Sequence, residues 1–208
     1  LALGFDVGVR RRIAAGSAVE VNSAGLILAA GESRRMGTPK ALLDYRGETF
    51  LNRLVRLFSA KFSPVIVVLG AGADSISVPA AARAVVNRDW PLGQTTSMQC
   101  GLRALPPETE GVLFTLVDHP AVEPATIDAL LSASGRLRIP RFDGQRGHPI
   151  WFSRDLIPEI LAVPPDGAAR DVIRAHYPEA TFLDVDDPGI LADIDDHAAY
   201  RALLEAEA

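Results

Sequence analysis

The stretch Leu26-Ile27-Leu28-Ala29-Ala30-Gly31-Glu32-Ser33-Arg34-Arg35-Met36-Gly37-Thr38-Pro39-Lys40 decides how this chain is read. A short apolar burst runs straight into a loop holding two glycines, a small hydroxyl residue, two arginines and a lysine. Glycines let a backbone approach closely and expose its N–H groups to an anion. Arginine and lysine neutralise phosphate charge. The loop is not a P-loop, because no glycine directly precedes Lys40 and no Ser or Thr follows it. It is not G-x-G-x-x-G either. A buried strand opening into a phosphate-cradling loop is the reading that fits.

Outward from that loop, apolar bursts of strand length alternate with stretches of helical spacing. Strands are predicted at Gly25–Ala30, Pro64–Leu69, Ala84–Asn87, Gly111–Val117, Thr181–Val185, and on either side of the turn Asp143-Gly144. Helices are predicted at Thr49–Lys61, with Thr49 as N-cap, at Thr95–Leu105, and at Pro124–Ala133 with Pro124 in the first turn. Further helices are predicted near Ser153–Leu161, Ala168–His176 and Ala198–Ala206. Such alternation implies an α/β fold, a three-layer α/β/α sandwich on a mostly parallel, Rossmann-like sheet. Ligands of such sheets collect beyond the carboxyl ends of the strands, at the topological switch point. The Gly31 loop, the Asn87–Gln94 loop and Asp118 all fall at strand ends of that kind.

Composition narrows the function classes. The chain has 208 residues, 48% apolar and 23% charged, with a formal charge of −5. That balance suits a globular domain and disfavours a general nucleic-acid surface, which is usually basic. The lone Cys100 excludes an internal disulfide and a multi-cysteine zinc site, and suits a reducing cytoplasm. Apolar runs fall far short of the ~20 residues that cross a bilayer. Residues 1–23, with Arg10-Arg11-Arg12 following an apolar start, read as an N-terminal extension without an assigned role, and 24–208 as a single domain.

Two later motifs carry chemistry of their own. Asp118 closes the apolar run Val112–Val117, where a carboxylate faces the ligand crevice and suits Mg²⁺, a hard cation taking one or two carboxylates plus phosphate oxygens. Asn87-Arg88-Asp89-Trp90, then Gly93-Gln94-Thr95-Thr96-Ser97, offers a close-approach glycine and N–H groups at a helix start. Trp90 reads as a packing aromatic, and Asp166 as a helix cap.

Four elements in order, from about Gly25 to Tyr200, resemble the MobA-like and MocA-like nucleotidyltransferases of molybdenum-cofactor synthesis. They are the glycine loop, Ser97 with its flanking segment, Asp118-His119-Pro120 and Arg146-Gly147-His148-Pro149. The resemblance implies the nucleotide-diphospho-sugar transferase fold and a nucleotide site made by Leu28, Ala29, Ala30, Gly31, Lys40, Asn87, Gly93, Ser97 and Asp118. It assigns Arg35 and Lys40 to the triphosphate, leaving Glu32 and Arg34 solvent-facing. Gly147, His148, Pro149 and Arg170, the last in Gly167-Ala168-Ala169-Arg170, fall to the acceptor. Asp118 and a tail aspartate fall to Mg²⁺, with Asp195 preferred over Asp193 in Asp193-Ile194-Asp195. The chain departs from the family there, with Asp196-His197 in place of Thr-Pro, and His119 fills a variable position of the Asp-x-Pro signature.

Leu-Ala-Ala-Gly at 28–31 is similar to cytidylyltransferases, whereas guanylyltransferases more often carry Leu-Ala-Gly-Gly. The resemblance therefore implies CTP over GTP and molybdopterin over a sugar or polyol phosphate, with a molybdoenzyme or its chaperone as a further partner. Two rival classes remain: a non-catalytic carrier of the finished cofactor, and an oxidoreductase built on the same scaffold.

Overall fold

The computed structural model describes residues 22–206. Strand β1 (Ser23–Ala29) is buried along its whole length, as a parallel strand covered on both faces must be. A two-stranded hairpin follows, β2 (Asp44–Tyr45) with β3 (Glu48–Thr49), which the sequence reading did not anticipate. Its two-residue turn sets both Arg46 (φ 55°) and Gly47 (φ 77°) in the left-handed region, the geometry that matches strand twist. Arginine is an unusual first residue for that turn, so the signal was weak.

Helix α1 (Phe50–Ser59) starts where Thr49 Oγ1 accepts the Asn52 N–H at 3.2 Å, the expected cap. Its stripe of Phe50, Leu51, Leu54, Val55, Leu57 and Phe58 is buried. Each such side chain contributes about 1.5–3 kcal/mol relative to exposure. The chain continues through β4 (Val65–Leu69), β5 (Arg83–Val86), α2 (Gln94–Arg103), β6 (Gly111–Leu116) and α3 (Pro124–Ser132). Then come β7 (Leu137–Phe142), β8 (Gln145–Arg146), β9 (Ile150–Ser153), α4 (Ile157–Ala162), α5 (Ala169–Ala175), β10 (Thr181–Asp184) and α6 (His197–Glu205).

The main sheet runs in the order β10-β7-β9-β6-β1-β4-β5, with β8 paired to β7. β1 pairs in parallel with β4 and β6, β4 with β5, and β7 with β10, while β9 runs antiparallel between β6 and β7. One apolar layer gathers α1 and α3, with Tyr200 and Leu203 of α6; the other gathers α2, α4 and α5. This is the expected three-layer sandwich. The chain leaves β1 toward β4 and β5, then returns to the other flank of β1 as β6, so the switch point lies between β1 and β6.

Three expectations shift. Ser23, assigned to the extension, opens β1 and accepts a hydrogen bond from Trp151 Nε1 at 3.1 Å; the rest of that extension lies outside the described residues. The helix expected over Ser153–Leu161 splits into a 3₁₀ turn, Arg154–Leu156, and α4, with Pro158 at its start where no N–H is needed. Asp166 does not cap α5. Thr95 Oγ1 takes that role, accepting the Ala169 N–H at 3.0 Å and donating to the Gly167 carbonyl at 2.8 Å. Among the described residues no helix is long and apolar enough to cross a membrane.

Candidate active site

At the carboxyl end of β1 the chain breaks into the glycine loop. Ser33 (φ 53°) and Gly37 (φ 63°) turn it back on itself, and buried Met36 anchors it. Ser33 Oγ accepts the Lys40 N–H at 3.0 Å, which closes the loop and delivers Lys40 to the rim of the sheet. Next door, the Val117 N–H donates to the Leu28 carbonyl at 2.9 Å, extending the β1–β6 pairing to the residue before Asp118.

There the two halves meet. Lys40 Nζ lies 2.8 Å from Asp118 Oδ2 and 2.6 Å from Asp195 Oδ1, and Arg35 Nη1 lies 3.4 Å from Asp195 Oδ2. Burial alone would lower the Lys40 pKa, but the hydrogen bonds and charges of Asp118 and Asp195 outweigh it and hold the ammonium above its usual value. The Lys40 hydrogen bond in turn holds Asp195 below the usual carboxylate range. Asp195 reaches the site because the Ile194 N–H donates to the Asp118 carbonyl at 3.0 Å, pinning the acidic tail beside the strand end.

A cavity of about 500 Å³ opens over this group. Leu28, Ala29, Ala30, Gly31, Arg35 and Lys40 line it, together with Gly93, Ser97, Asp118 and Asp195. Arg34 is exposed and ion-paired to Glu32, as expected of a solvent-facing residue. Asn87, expected at the nucleotide, is buried behind the wall. Its Nδ2 donates to Thr96 Oγ1 (2.9 Å) and Ser97 Oγ (3.0 Å), so it positions Ser97 while standing off the cavity. Trp90 packs on the apolar layer beneath α2 and also lines the cavity.

A second cavity, about 470 Å³, adjoins the first and shares Gly93, Gln94 and Leu116 with it. Gly147, His148 and Arg170, three of the residues expected at the acceptor, line it; Pro149 is buried beside His148. Its floor is apolar, with Phe114, Ile139 and Ile150, and Arg146 and Arg174 stand at its wall. Sequence reading named Arg146 only as the flank of the Gly-His-Pro element and missed Arg174, since a lone arginine on a helix carries no signal. The His148 ring centroid lies 4.8 Å from that of His119, the rings tilted by 42°, and 5.5 Å from that of Phe114, edge to face. Burial, then the neighbouring His119, pushes the His148 pKa down to about 3, so this ring is neutral at ordinary pH and suits positioning better than proton transfer.

The carboxylates divide differently from expectation. Asp195 is taken up by Lys40 and Arg35, whereas Asp118, His119 and Asp193 each offer a ligand atom, all within 4.8 Å of one another. Asp118 Oδ1 is buried without a hydrogen-bond partner. Burial, then the charge of Asp118, raises the Asp193 pKa, the response of a carboxylate crowded against another. A buried, unpaired carboxylate oxygen beside a second carboxylate fits a divalent cation.

An α/β sheet with a basic glycine loop, a strand-end aspartate and two joined cavities defines a nucleotide-handling class. The chain belongs to the MobA-like NTP transferase domain family, whose pattern matches residues 25–180. It is 31% identical over 195 residues to nicotine blue oxidoreductase of Paenarthrobacter nicotinovorans, covering 86% of this chain and 95% of that one. It is 30% identical to a probable molybdenum cofactor guanylyltransferase of Mycobacterium avium, over 89% of this chain and 96% of the relative. Among solved structures, Rv0371c from Mycobacterium tuberculosis superimposes with a TM-score of 0.79 at 29% identity, covering 89% of this chain and 99% of that one; it has also been crystallised with manganese.

Proposed function

We propose that this protein moves a cytidylyl group from CTP onto the phosphate of molybdopterin, releasing pyrophosphate. The observation that carries the reading is the junction of the two cavities at Gly93, Gln94 and Leu116, beside the Lys40–Asp118 pair. A triphosphate in the first cavity would meet Lys40, Arg35 and the N–H groups of the glycine loop. An acceptor in the second would lay its ring on the apolar floor. The acceptor phosphate oxygen forms a bond to the α-phosphorus, the α–β bridging bond breaks, and pyrophosphate carries away the electron pair. An acceptor already anionic needs no protein nucleophile, so the chain's work is orientation and charge neutralisation.

Asp118 with a tail aspartate would hold the Mg²⁺ or a related divalent ion, and the manganese complex of the mycobacterial neighbour supports a divalent ion. When bound, that ion neutralises charge on the phosphate oxygens. CTP is preferred because Leu28-Ala29-Ala30-Gly31 resembles the cytidylyltransferase form of the loop, and Ala30 and Gly31 line the first cavity. The relatives named as guanylyltransferases make GTP the competing base.

Pyrophosphate release, measured with each of the four nucleoside triphosphates and molybdopterin, tests the reading. Release with CTP supports it; release with GTP alone replaces the base and keeps the chemistry. Cofactor retention without pyrophosphate release replaces transfer with a carrier that delivers to a molybdoenzyme. An oxidoreductase is the second reading, supported by similarity to nicotine blue oxidoreductase along nearly its whole length. A flavin or nicotinamide absorbance band retained by the protein, with no transfer activity, decides for it.

A further inference from the structure

We propose that His119 is a nitrogen ligand of the divalent-metal site, beside Asp118 and Asp193, and that the site therefore prefers a first-row transition ion to Mg²⁺. This deepens the nucleotidyltransferase reading by naming the class of cation, and its test does not depend on turnover.

The geometry starts from how Asp118 spends its two oxygens. Oδ2 takes the Lys40 ammonium at 2.8 Å, while Oδ1 is buried and makes no hydrogen bond. His119 Nε2 lies 4.0 Å from Oδ1. The His119 side chain is 8% exposed, and its Nδ1 is also without a partner. A buried polar group left unpaired costs about 1–3 kcal/mol. For a carboxylate oxygen the cost is at the upper end, so the unpaired Oδ1, with His119 Nε2 close by, points to an occupant of the space between them.

Asp193 completes the set. The Ile194 N–H to Asp118 carbonyl bond fixes the tail so that Asp193 lies on the His119 side, while Asp195 turns to Lys40 and Arg35. Atoms on opposite sides of a metal stand about twice the bond length apart, about 4.2 Å for bonds near 2.1 Å. Separations up to 4.8 Å need only a small closure onto an ion. Two carboxylates and an imidazole form a mixed oxygen–nitrogen set. Mg²⁺ favours oxygen alone, whereas imidazole raises affinity for transition ions.

The probe is Mn²⁺ alone, added to the full-length protein without nucleotide. Loss of the free-ion electron paramagnetic resonance signal gives the affinity, and pulsed spectra report directly bound ¹⁴N with imidazole couplings. The wild type is expected to bind one Mn²⁺ with such a coupling, about tenfold or more tighter than Mg²⁺ in competition. His119→Gln is expected to lose the coupling and to bind Mn²⁺ about tenfold more weakly, with a smaller change for Mg²⁺. His148→Phe is expected to keep the coupling. Bound Mn²⁺ without ¹⁴N coupling in the wild type overturns the proposal, as does failure to bind at millimolar Mn²⁺ or a coupling that survives in His119→Gln. Should His119→Gln misfold, the wild-type spectrum and its persistence in His148→Phe decide the matter. Imidazole ligation without pyrophosphate release would leave the metal site standing and remove the transferase reading; the reverse result would do the opposite.

Discussion

Lys40 Nζ donates to Asp118 Oδ2 at 2.8 Å across 78 residues of sequence, joining the glycine loop after β1 to the end of β6 at the switch point of the sheet. Both side chains are largely buried, at 12% and 17% exposure, so the pair is sheltered from the screening that makes surface ion pairs weak.

That pair predicts the first result. Lys40→Ala and Asp118→Ala should each lower transfer by about 10²–10³-fold, the usual loss when a preorganised charge is removed. Their circular dichroism should match wild type. Near-normal turnover in either variant removes these residues from the chemistry.

The pH dependence of stability has two sides. Lys40 is raised in the folded state, so its contribution is full below its unfolded value of 10.5 and disappears as pH climbs through the folded value. Asp195 is depressed, so its contribution holds above 3.8 and is lost as pH falls through the folded value. His148, depressed to about 3 from 6.5, makes the unfolded chain bind the extra proton between those values, so stability falls as pH drops from 6.5 toward 3. His119, also depressed by burial, adds to that fall, and the raised Asp193 partly opposes it. Thermal melts of His148→Phe should show a shallower decline between pH 6.5 and 4 than wild type. An unchanged slope would mean that the ring at 148 accepts a proton in the folded protein.

Gly70 should resist any side chain. A Cβ there would stand 2.5 Å from the Ala30 carbonyl oxygen and 2.8 Å from Trp90 Cβ, both on the wall of the first cavity. Gly70→Ala should cost about 1–3 kcal/mol of stability through overpacking. It should also weaken nucleotide binding, read as a smaller thermal shift on adding CTP. A variant with wild-type melting and shift would show that the wall yields freely.

Asp187 is the least conspicuous residue with a large expected effect. Buried at 3% exposure, it accepts the Glu123 N–H (2.9 Å), the Thr126 hydroxyl (2.6 Å) and the Gly189 N–H (2.9 Å). It thereby ties the start of α3 to the turn that leads into Asp193 and Asp195. The same turn accepts the His148 N–H at the Ile190 carbonyl, 3.0 Å away. Asp187→Ala should lower the melting midpoint by the equivalent of about 1–3 kcal/mol for buried donors left unpaired. Asp187→Asn should recover part of it, since its carbonyl oxygen still accepts. Equal melting of all three proteins would mean that the turn is held by other contacts.

Much of this molecule was legible residue by residue. Strands such as Val65–Leu69 are runs of β-branched residues, and α1 shows its buried stripe and its Thr49 cap openly, because local periodicity and capping are short-range effects. The glycine loop and Asp118 were legible for a related reason: parallel strands put their carboxyl ends on one rim, so motifs at strand ends converge whatever lies between. The Arg46-Gly47 hairpin was not, since its turn uses a residue that rarely takes positive φ.

What only the tertiary structure decided concerns groups whose neighbours are distant in sequence. Asn87 read as a ligand contact and is instead the support beneath Ser97. Asp195 and Asp193 are two residues apart, and nothing local distinguishes them. The backbone bond from Ile194 to Asp118 does, turning one carboxylate to Lys40 and the other toward His119. Sequence alone determined that a basic glycine loop and an aspartate would stand at strand ends. Folding determined which groups face each other, because a carboxylate's role depends on the charge a few ångströms away, and that distance is set by packing across the sheet.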